Sequence, residues 1–410
     1  MGISFTTEQQ KVIDTHGCNI LVSAAAGSGK TAVLVERIVK MISDAAKPVD
    51  IDRLLIVTFT NAAAAEMRER ISTAIGNKLL SEPENEHLQR QATLLHNAQI
   101  TTIDSFCLFV IRNHFHTIGL DPGFRIADEG EMKLLKADVM ADVLEKCYSN
   151  GEESFLHCME YFSTGSSDKA VEDAVLKLYD FAMSYPFPEE WLMERKNDYD
   201  LMDLDWMQEL MEDTTLLLQG VFDRISQCTA ICNDSDGPYM YAELLEQEQE
   251  QIEKLIAAET YEERYLLFDA LVFGRLSSKK DATVSVSKRE LVKNTRAQIK
   301  DQLQSMQKNY FAQLWEEVVR QMEACGEAVG ALVDLTLRFK EEFDLNKRAK
   351  NLVDFDDMEH FALSILLNKK EDGSVEPTET ALEYRSYFEE ILIDEYQDSN
   401  LVQEYLLSAI

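Results

Sequence analysis

The chain has 410 residues, enough for two or three domains with their own cores, and 45% of them are apolar, which excludes a disordered polymer. No apolar run approaches the roughly 18 residues of a membrane span, so none is expected. The net charge of −34 argues against nucleic acid until it is located: residues 1–125 hold 12 Lys+Arg against 13 Asp+Glu, so the front is nearly neutral and the acid lies behind it.

Met1 to Glu8 lacks the charged-then-apolar order of a signal peptide, and Met1-Gly2 with Thr6 fits a myristoylation pattern only superficially. Asn19-Ile20-Leu21-Val22-Ser23 reads as a short buried strand, followed by a Gly-containing loop and by a helix over Thr31–Ile42. Arg53 to Thr58 predicts a second strand and Ala62–Ile75 an alanine-rich helix. Gln99 to Thr102 predicts a third strand, and Ser105–His114 another helix. Strand and helix alternating in this way predict an α/β fold: a parallel sheet with helices on both faces.

From about residue 120 the periodicity becomes helical, over Glu131–Lys146, Asp205–Cys228, Tyr241–Phe273 and Glu290–Phe343. Tyr185-Pro186-Phe187-Pro188 and Asn233 to Pro238 mark breaks. This predicts a mostly helical insertion, with Glu246–Glu253 as a solvated acidic face. Residues 277–300 run against the acidic trend. Lys279, Lys280, Lys288, Arg289, Lys293, Arg296 and Lys300 stand there against Asp281 and Glu290, either as a duplex-contacting patch or as a solvated surface. Near the end Ile391-Leu392-Ile393 reads as a buried strand, so the first and last parts of the chain are expected to share one domain. The seven cysteines have no C-x-x-C spacing and are expected as reduced thiols of a cytoplasmic protein.

Ala24-Ala25-Ala26-Gly27-Ser28-Gly29-Lys30-Thr31, between strand and helix, has the context of a phosphate-binding loop. Small residues let backbone N–H groups curl round phosphates, and the helix N-terminus adds a favourable dipole. Lys30 would reach the β- and γ-phosphates of ATP, and the Thr31 hydroxyl would hold Mg²⁺. The usual pattern fails at its first position, where Ala24 stands for Gly. Asp394-Glu395, at a strand end, is the natural partner: the aspartate to hold Mg²⁺ and the glutamate to polarise the attacking water.

Here the residues resemble a family. Asp394-Glu395-Tyr396-Gln397-Asp398 resembles the D-E-x-Q-D motif of UvrD/PcrA/RecB-like superfamily 1 DNA helicases, which adds Gln397 to the catalytic set. Phe5 to Gln10 looks like their adenine-recognition motif, with Gln9 at the base-reading position; an amide both donates and accepts. Thr58 to Ala64 and Thr102 to Cys107 match two single-strand-binding motifs. Phe59 would stack on a base, the alternative being a core aromatic, and Thr60, Asn61, Thr102 and Ser105 suit sugar–phosphate contact. Asp104 would repel phosphate and is expected to orient its neighbours. Leu352 to Met358 resembles a segment preceding the D-E strand in that family; its Asp354, Asp356 and Asp357 read as helix caps in preference to a metal cluster.

Residues 20–27, 121–129 and 391–404 are most similar to the A subunit, AddA, of AddAB (RexAB) helicase–nucleases. The resemblance is strong over 1–130 and 350–410 and vague between. It implies a RecA-like P-loop motor domain over 1–120, a helical accessory insertion over 121–349, and the motor domain continuing over 350–410. It also implies ATP and Mg²⁺ as cofactors, no membrane, and as partners single-stranded DNA, duplex DNA and the B-subunit. The activity implied is ATP-driven 3′-to-5′ translocation and unwinding in recombinational double-strand-break repair. On this resemblance the chain is expected to be a truncated piece that is a poor motor by itself. An open place in the sheet beside Leu21-Val22 is expected to expose apolar edges. Two alternatives are a nucleotide- and DNA-binding module without turnover, and an unrelated phosphate-loop NTPase.

Overall fold

The computed structural model describes all residues except 1–4, 26, 45, 164–166, 200–204 and 371. In chain order the first elements are α1 (Thr7–Asp14), α2 (Lys30–Ile42), β1 (Leu54–Thr58), α3 (Asn61–Ser81), α4 (Glu86–Leu94), β2 (Gln99–Thr102), α5 (Ile103–His114) and β3 (Arg125–Ile126). Long helices follow: α6 (Glu129–Asn150), α7 (Glu153–Phe162), α8 (Lys169–Ala182), α9 (Pro188–Asn197), α10 (Asp205–Cys232), α11 (Ala242–Ala257), α12 (Tyr261–Asp269), α13 (Val286–Tyr310) and α14 (Trp315–Ala349). The chain then runs through β4 (Leu352–Val353), α15 (Phe355–Leu366), β5 (Leu367–Lys369), β6 (Val375–Pro377), α16 (Glu379–Tyr387), β7 (Glu390–Ile393) and α17 (Leu401–Ala409). Two compact units result, Met1–Met193 with Leu332–Ile410, and Glu194–Ala331.

The first unit is organised by a parallel sheet of order β2-β1-β7. Every residue of β1 is buried, as expected for a parallel strand covered on both faces. Side chains alternate across a strand. Leu54 and Ile56 therefore join one core, with Ile38 and Ile42 of α2 and Met67 and Ile71 of α3. Leu55 and Val57 join the other, with Phe106 and Val110 of α5, Met358 and Ala362 of α15, and Val402 and Leu406 of α17. Helices on both faces of a parallel sheet match the fold class read from the sequence.

The strand expected at Asn19–Ser23 does not form. Among the described residues the sheet ends at β7, and Ile20, Leu21 and Val22 are 38%, 80% and 44% exposed. A strand exists only through hydrogen bonds to a neighbour, and among the described residues these have none. The open sheet edge expected beside Leu21-Val22 is therefore not what exposes these side chains: they lie on an unpaired segment.

The second unit has its own core, built on Val221 and Ile225 of α10, Leu245 and Ile252 of α11, Phe268 of α12, and Val292 and Ile299 of α13. Two helical runs read as continuous are broken. Thr260 caps the start of α12 by accepting from the Glu263 N–H, so the Tyr241–Phe273 run is interrupted between α11 and α12. Phe311 turns inward after α13, and the Tyr261 hydroxyl donates to the Tyr310 and Gln313 carbonyls, both at 3.0 Å. The turn before α11 requires Gly237, because a Cβ there would sit 2.0 Å from the Ile231 carbonyl oxygen.

Much of the basic stretch is committed internally. Lys288 pairs with Asp234 and Asp236, Arg289 donates to the Tyr241 hydroxyl, and Lys279 and Lys300 lie over the Tyr239 and Phe273 rings. Arg296 grips Glu248, whose side chain is 2% exposed. Glu246, Glu250 and Glu253 are exposed as read, but Glu248 belongs to the interior. No described helix is long and apolar enough to cross a membrane.

At the start of α15, Asp354 and Asp357 form a reciprocal capping box, and buried Lys347 reaches both, at 3.1 and 2.6 Å. The capping reading of these aspartates therefore describes the structure. Burial pushes the Asp356 carboxyl up to about 6 and also raises Asp357, outweighing the attraction of Lys347. Carboxyls raised in the native state bind protons more tightly there than in the unfolded chain. Their contribution thus falls as pH rises from about 4 to about 6. Lys347→Ala leaves two buried carboxylates without their cation and is expected to cost about 3–5 kcal/mol near neutral pH. Denaturant titration should find the penalty smaller at about pH 5, where the raised Asp357 carboxyl can take up a proton; a penalty independent of pH would contradict this.

Candidate functional site

Parallel strands with a common direction deliver their C-terminal ends to one edge of the sheet. At that edge the register sets Thr58 opposite Thr102 and Val57 opposite Ile393. The Asp394 N–H extends the ladder by donating to the Val57 carbonyl at 2.9 Å. Segments from both ends of the chain therefore emerge together.

Of the residues expected to form a phosphate loop, Ala24, Ala25, Gly27, Ser28 and Gly29 are exposed and lead into α2; Ala26 lies outside the described residues. Gly27 and Gly29 have φ of +77° and +84°, a region that glycine enters without a Cβ penalty. Gly29 caps α2 without a side-chain hydrogen bond, so the cap itself sets no acceptor against an anion at the helix N–H groups. Lys30 and Thr31 open the helix, with the Lys30 amine 3.6 Å from the Glu395 carboxylate.

Asp394 is partly buried, which raises its carboxyl pKa; Glu395 adds to the rise and Lys30 opposes it. Glu395 takes a left-handed backbone, φ +57°, uncommon for a residue with a side chain. Its carboxylate accepts from the Gln397 amide at 2.5 Å, and with Lys30 this holds its pKa below the usual range. The structure thus brings Lys30, Asp394, Glu395 and Gln397 together.

Gln9 lies on the same side. Its amide oxygen accepts from the Thr6 N–H at 2.8 Å, closing a capping box on α1, and its amide nitrogen donates to the Ser28 carbonyl at 3.0 Å. A primary amide has two N–H donors and two lone pairs, so both contacts leave one donor and one acceptor for a ligand.

The residues expected to meet DNA cluster beyond β1 and β2. Phe59 is 67% exposed, which excludes the core alternative. Thr60 accepts from the Ala63 N–H at 3.1 Å and caps α3; Asn61 beside it is exposed. Thr102 accepts from the Ser105 N–H at 3.3 Å and shares a hydroxyl contact with Ser105 at 2.9 Å, capping α5. Asp104 is half-buried, and burial with nearby Glu359 raises its pKa.

Sequence reasoning missed two interior polar groups of this unit, Arg37 at the opposite, N-terminal end of β7. Glu359 of α15, 7% exposed, accepts from Asn400 at 3.0 Å and Gln403 at 2.6 Å, tying down the segment after the D-E motif. Arg37 of α2, 5% exposed, bonds Glu390 of β7 at 2.6 Å. Only a partner distant in sequence turns either inward, so no local signal marks them.

The chain matches the UvrD/REP helicase N-terminal domain over residues 5–410. This chain belongs to that family. It is also 50% identical over 418 residues to the AddA-type ATP-dependent helicase/nuclease chain of Lachnoclostridium phytofermentans, covering 99% of this chain and 30% of that protein. It is 42% identical over 422 residues to the protein of the same name from Clostridium perfringens (strain SM101), covering 100% and 33%. A third relative so named, from Acetivibrio thermocellus, is 42% identical over 419 residues, covering 99% and 33%. The chain spans about a third of the length of these relatives.

The capping bonds predict a stability effect separate from any ligand. Thr60→Ala and Thr102→Ala should each lower unfolding free energy by about 0.5–2 kcal/mol, whereas Asn61→Ala should change it little. Denaturant melts of the free chain check this, and equal effects from all three would contradict it.

Proposed function

We propose that the chain binds Mg-ATP through Gly27–Thr31 and Asp394-Glu395 and binds single-stranded DNA along the adjoining strand ends. The domain is proposed to be RecA-like, with 121–349 as its accessory insertion. The observation that carries the reading is the convergence of Lys30, Glu395 and Gln397 beside a helix N-terminus whose glycine cap offers no side chain and which is entered through two left-handed glycines. A loop that needs glycine twice and ends in a lysine suits phosphate chemistry.

In this reading Gln9 reads the adenine, and the backbone N–H groups of Ala24, Ala25, Gly27 and Gly29 face the phosphates, with Ser28, whose N–H closes a turn on the Ala25 carbonyl at 3.2 Å, between them. Thr31 and Asp394 would hold Mg²⁺, which when bound supplies positive charge to the phosphate oxygens. Lys30 leaves Glu395 for the phosphates, and Glu395, thereby released, orients and polarises water with Gln397 beside it. Asp394, held on the ladder by Val57, stays fixed while this exchange occurs.

Exposed Phe59 stacks on an unpaired base, with Thr60, Asn61, Thr102 and Ser105 along the backbone. In a protein of the relatives' length, ATP hydrolysis would drive 3′-to-5′ translocation and unwinding in double-strand-break repair, alongside duplex DNA and a second protein chain. The extensive internal pairing of the 279–300 stretch favours a structural role for it over a duplex-contacting one.

Lys30→Ala should abolish most Mg-ATP binding in calorimetric titration, while Glu395→Gln should retain binding; equal affinity in wild type and Lys30→Ala would refute the phosphate site. Phe59→Ala should weaken single-stranded DNA by about 1–3 kcal/mol without lowering the melting temperature, and binding should fall steeply with salt. Fluorescence anisotropy reads both, and unchanged affinity would exclude stacking.

A further inference from the structure

Helix α1 is lightly anchored for an element that carries a ligand-reading residue. Ile13 is its one buried side chain. Burial of one apolar side chain is non-directional and does not fix where along its axis a helix sits. Asp14 adds a surface pair with Lys40, and Gln9 adds its bond to Ser28.

The directional anchor is Arg37. Its Nη1 donates to the Val12 and Thr15 carbonyls, at 2.5 and 2.6 Å, where α1 ends. Its Nε donates to the Glu390 carboxylate at 2.6 Å, and Nη2 lies 3.4 Å from Nδ1 of His16. Carbonyls at a helix C-terminus lack intrahelical donors and carry partial negative charge. A planar guanidinium with several fixed N–H vectors can serve them and a carboxylate at once, which an ammonium cannot do with the same geometry. One buried side chain thus joins α1, which bears Gln9, to α2, which bears Lys30 and Thr31, and to β7, which ends before Asp394.

We infer that Arg37 is the positioning residue for base recognition: it holds α1 so that Gln9 faces the nucleotide, while the grip on the phosphates is independent of it. The inference rests on the reading of Gln9 and Gly27–Thr31 under Proposed function. The independence has a physical basis. The phosphate loop belongs to the N-terminus of α2, which is fixed by its own buried residues Val33, Ile38, Val39, Met41 and Ile42. Arg37 reaches from that seated helix to an element with little seating of its own.

The test is calorimetric titration of the 410-residue chain with Mg-ATP, Mg-GTP and Mg-tripolyphosphate, in wild type, Arg37→Gln, Gln9→Ala and the double variant. Wild type should prefer ATP to both other ligands. Arg37→Gln should lose about tenfold in ATP affinity, erasing the preference, with tripolyphosphate unchanged within about twofold. The double variant should be no weaker than either single one, since both act on the same contact. If Arg37→Gln fails to fold, Arg37→Lys carries the test. It keeps a charge opposite Glu390 but cannot span the two carbonyls, and should show the same selective loss at a near-native melting temperature. Parallel loss of ATP and tripolyphosphate, or an unchanged ATP preference, would overturn the inference. Wild type that binds tripolyphosphate without preferring ATP would remove the base reading and the inference with it; wild type that binds neither would remove the phosphate-site reading on which both stand.

Discussion

The pairing of β1 with β7 is the constraint on which the first unit depends. Leu54–Val57 lie in parallel register with Glu390–Ile393, two segments from opposite ends of the chain. Closing so long a loop costs less than its length suggests, because the entropy grows only logarithmically, by about 0.6 kcal/mol per doubling. What offsets the cost is a strand buried on both faces, with alternate residues entering two separate cores. Direction matters as much as pairing. Because the strands are parallel, the turn after β1, the turn after β2 and the acidic turn after β7 all emerge at one edge, where open α/β sheets generally place ligands.

Charge is handled within each unit by commitment and not by abundance. The chain carries −34 overall, yet several cations that decide its structure are interior: Lys347 between Asp354 and Asp357, Arg296 on Glu248, and Arg37 on Glu390. Arg264 is buried entirely among neutral acceptors, including the Leu255 and Ala258 carbonyls and the Thr214 hydroxyl. Removing such a cation leaves acceptors that water cannot reach, so each fixes geometry more than it adds stability. Lys30 differs. It is partly exposed, and its partner Glu395 is itself exposed at the sheet edge. A pair of that kind is weak enough to be exchanged for a ligand.

Much of this was legible in the sequence wherever the signal is local. The β1, β2 and β7 segments, the glycines before Lys30 and the cap at Asp354 are encoded within a few residues of where they act; the caps at Thr60 and Thr102 are equally local, but those residues were read only as sugar–phosphate contacts. Asn19–Ser23 misleads because an apolar run states what a segment can bury and not whether a neighbour is there to pair with it. The breaks at 258–260 and 311–314 were invisible because helical periodicity continues through them; Tyr261 and Phe311 impose them through contacts distant in sequence. Nothing local marks Arg37 and Glu359 as interior, since only Glu390, Asn400 and Gln403 give them a reason to be inside.

The central claim is that segments distant in sequence form one nucleotide site at this edge of the sheet. Amide hydrogen exchange of the chain with and without a non-hydrolysable Mg-ATP analogue tests it most directly, because ligand contact and local ordering slow exchange where they occur. The account predicts simultaneous protection in three places: around Gln9 on α1, from Gly27 through the first turn of α2, and from Asp394 to Gln397. Protection confined to one of these, or appearing instead in the 194–331 unit, would contradict it.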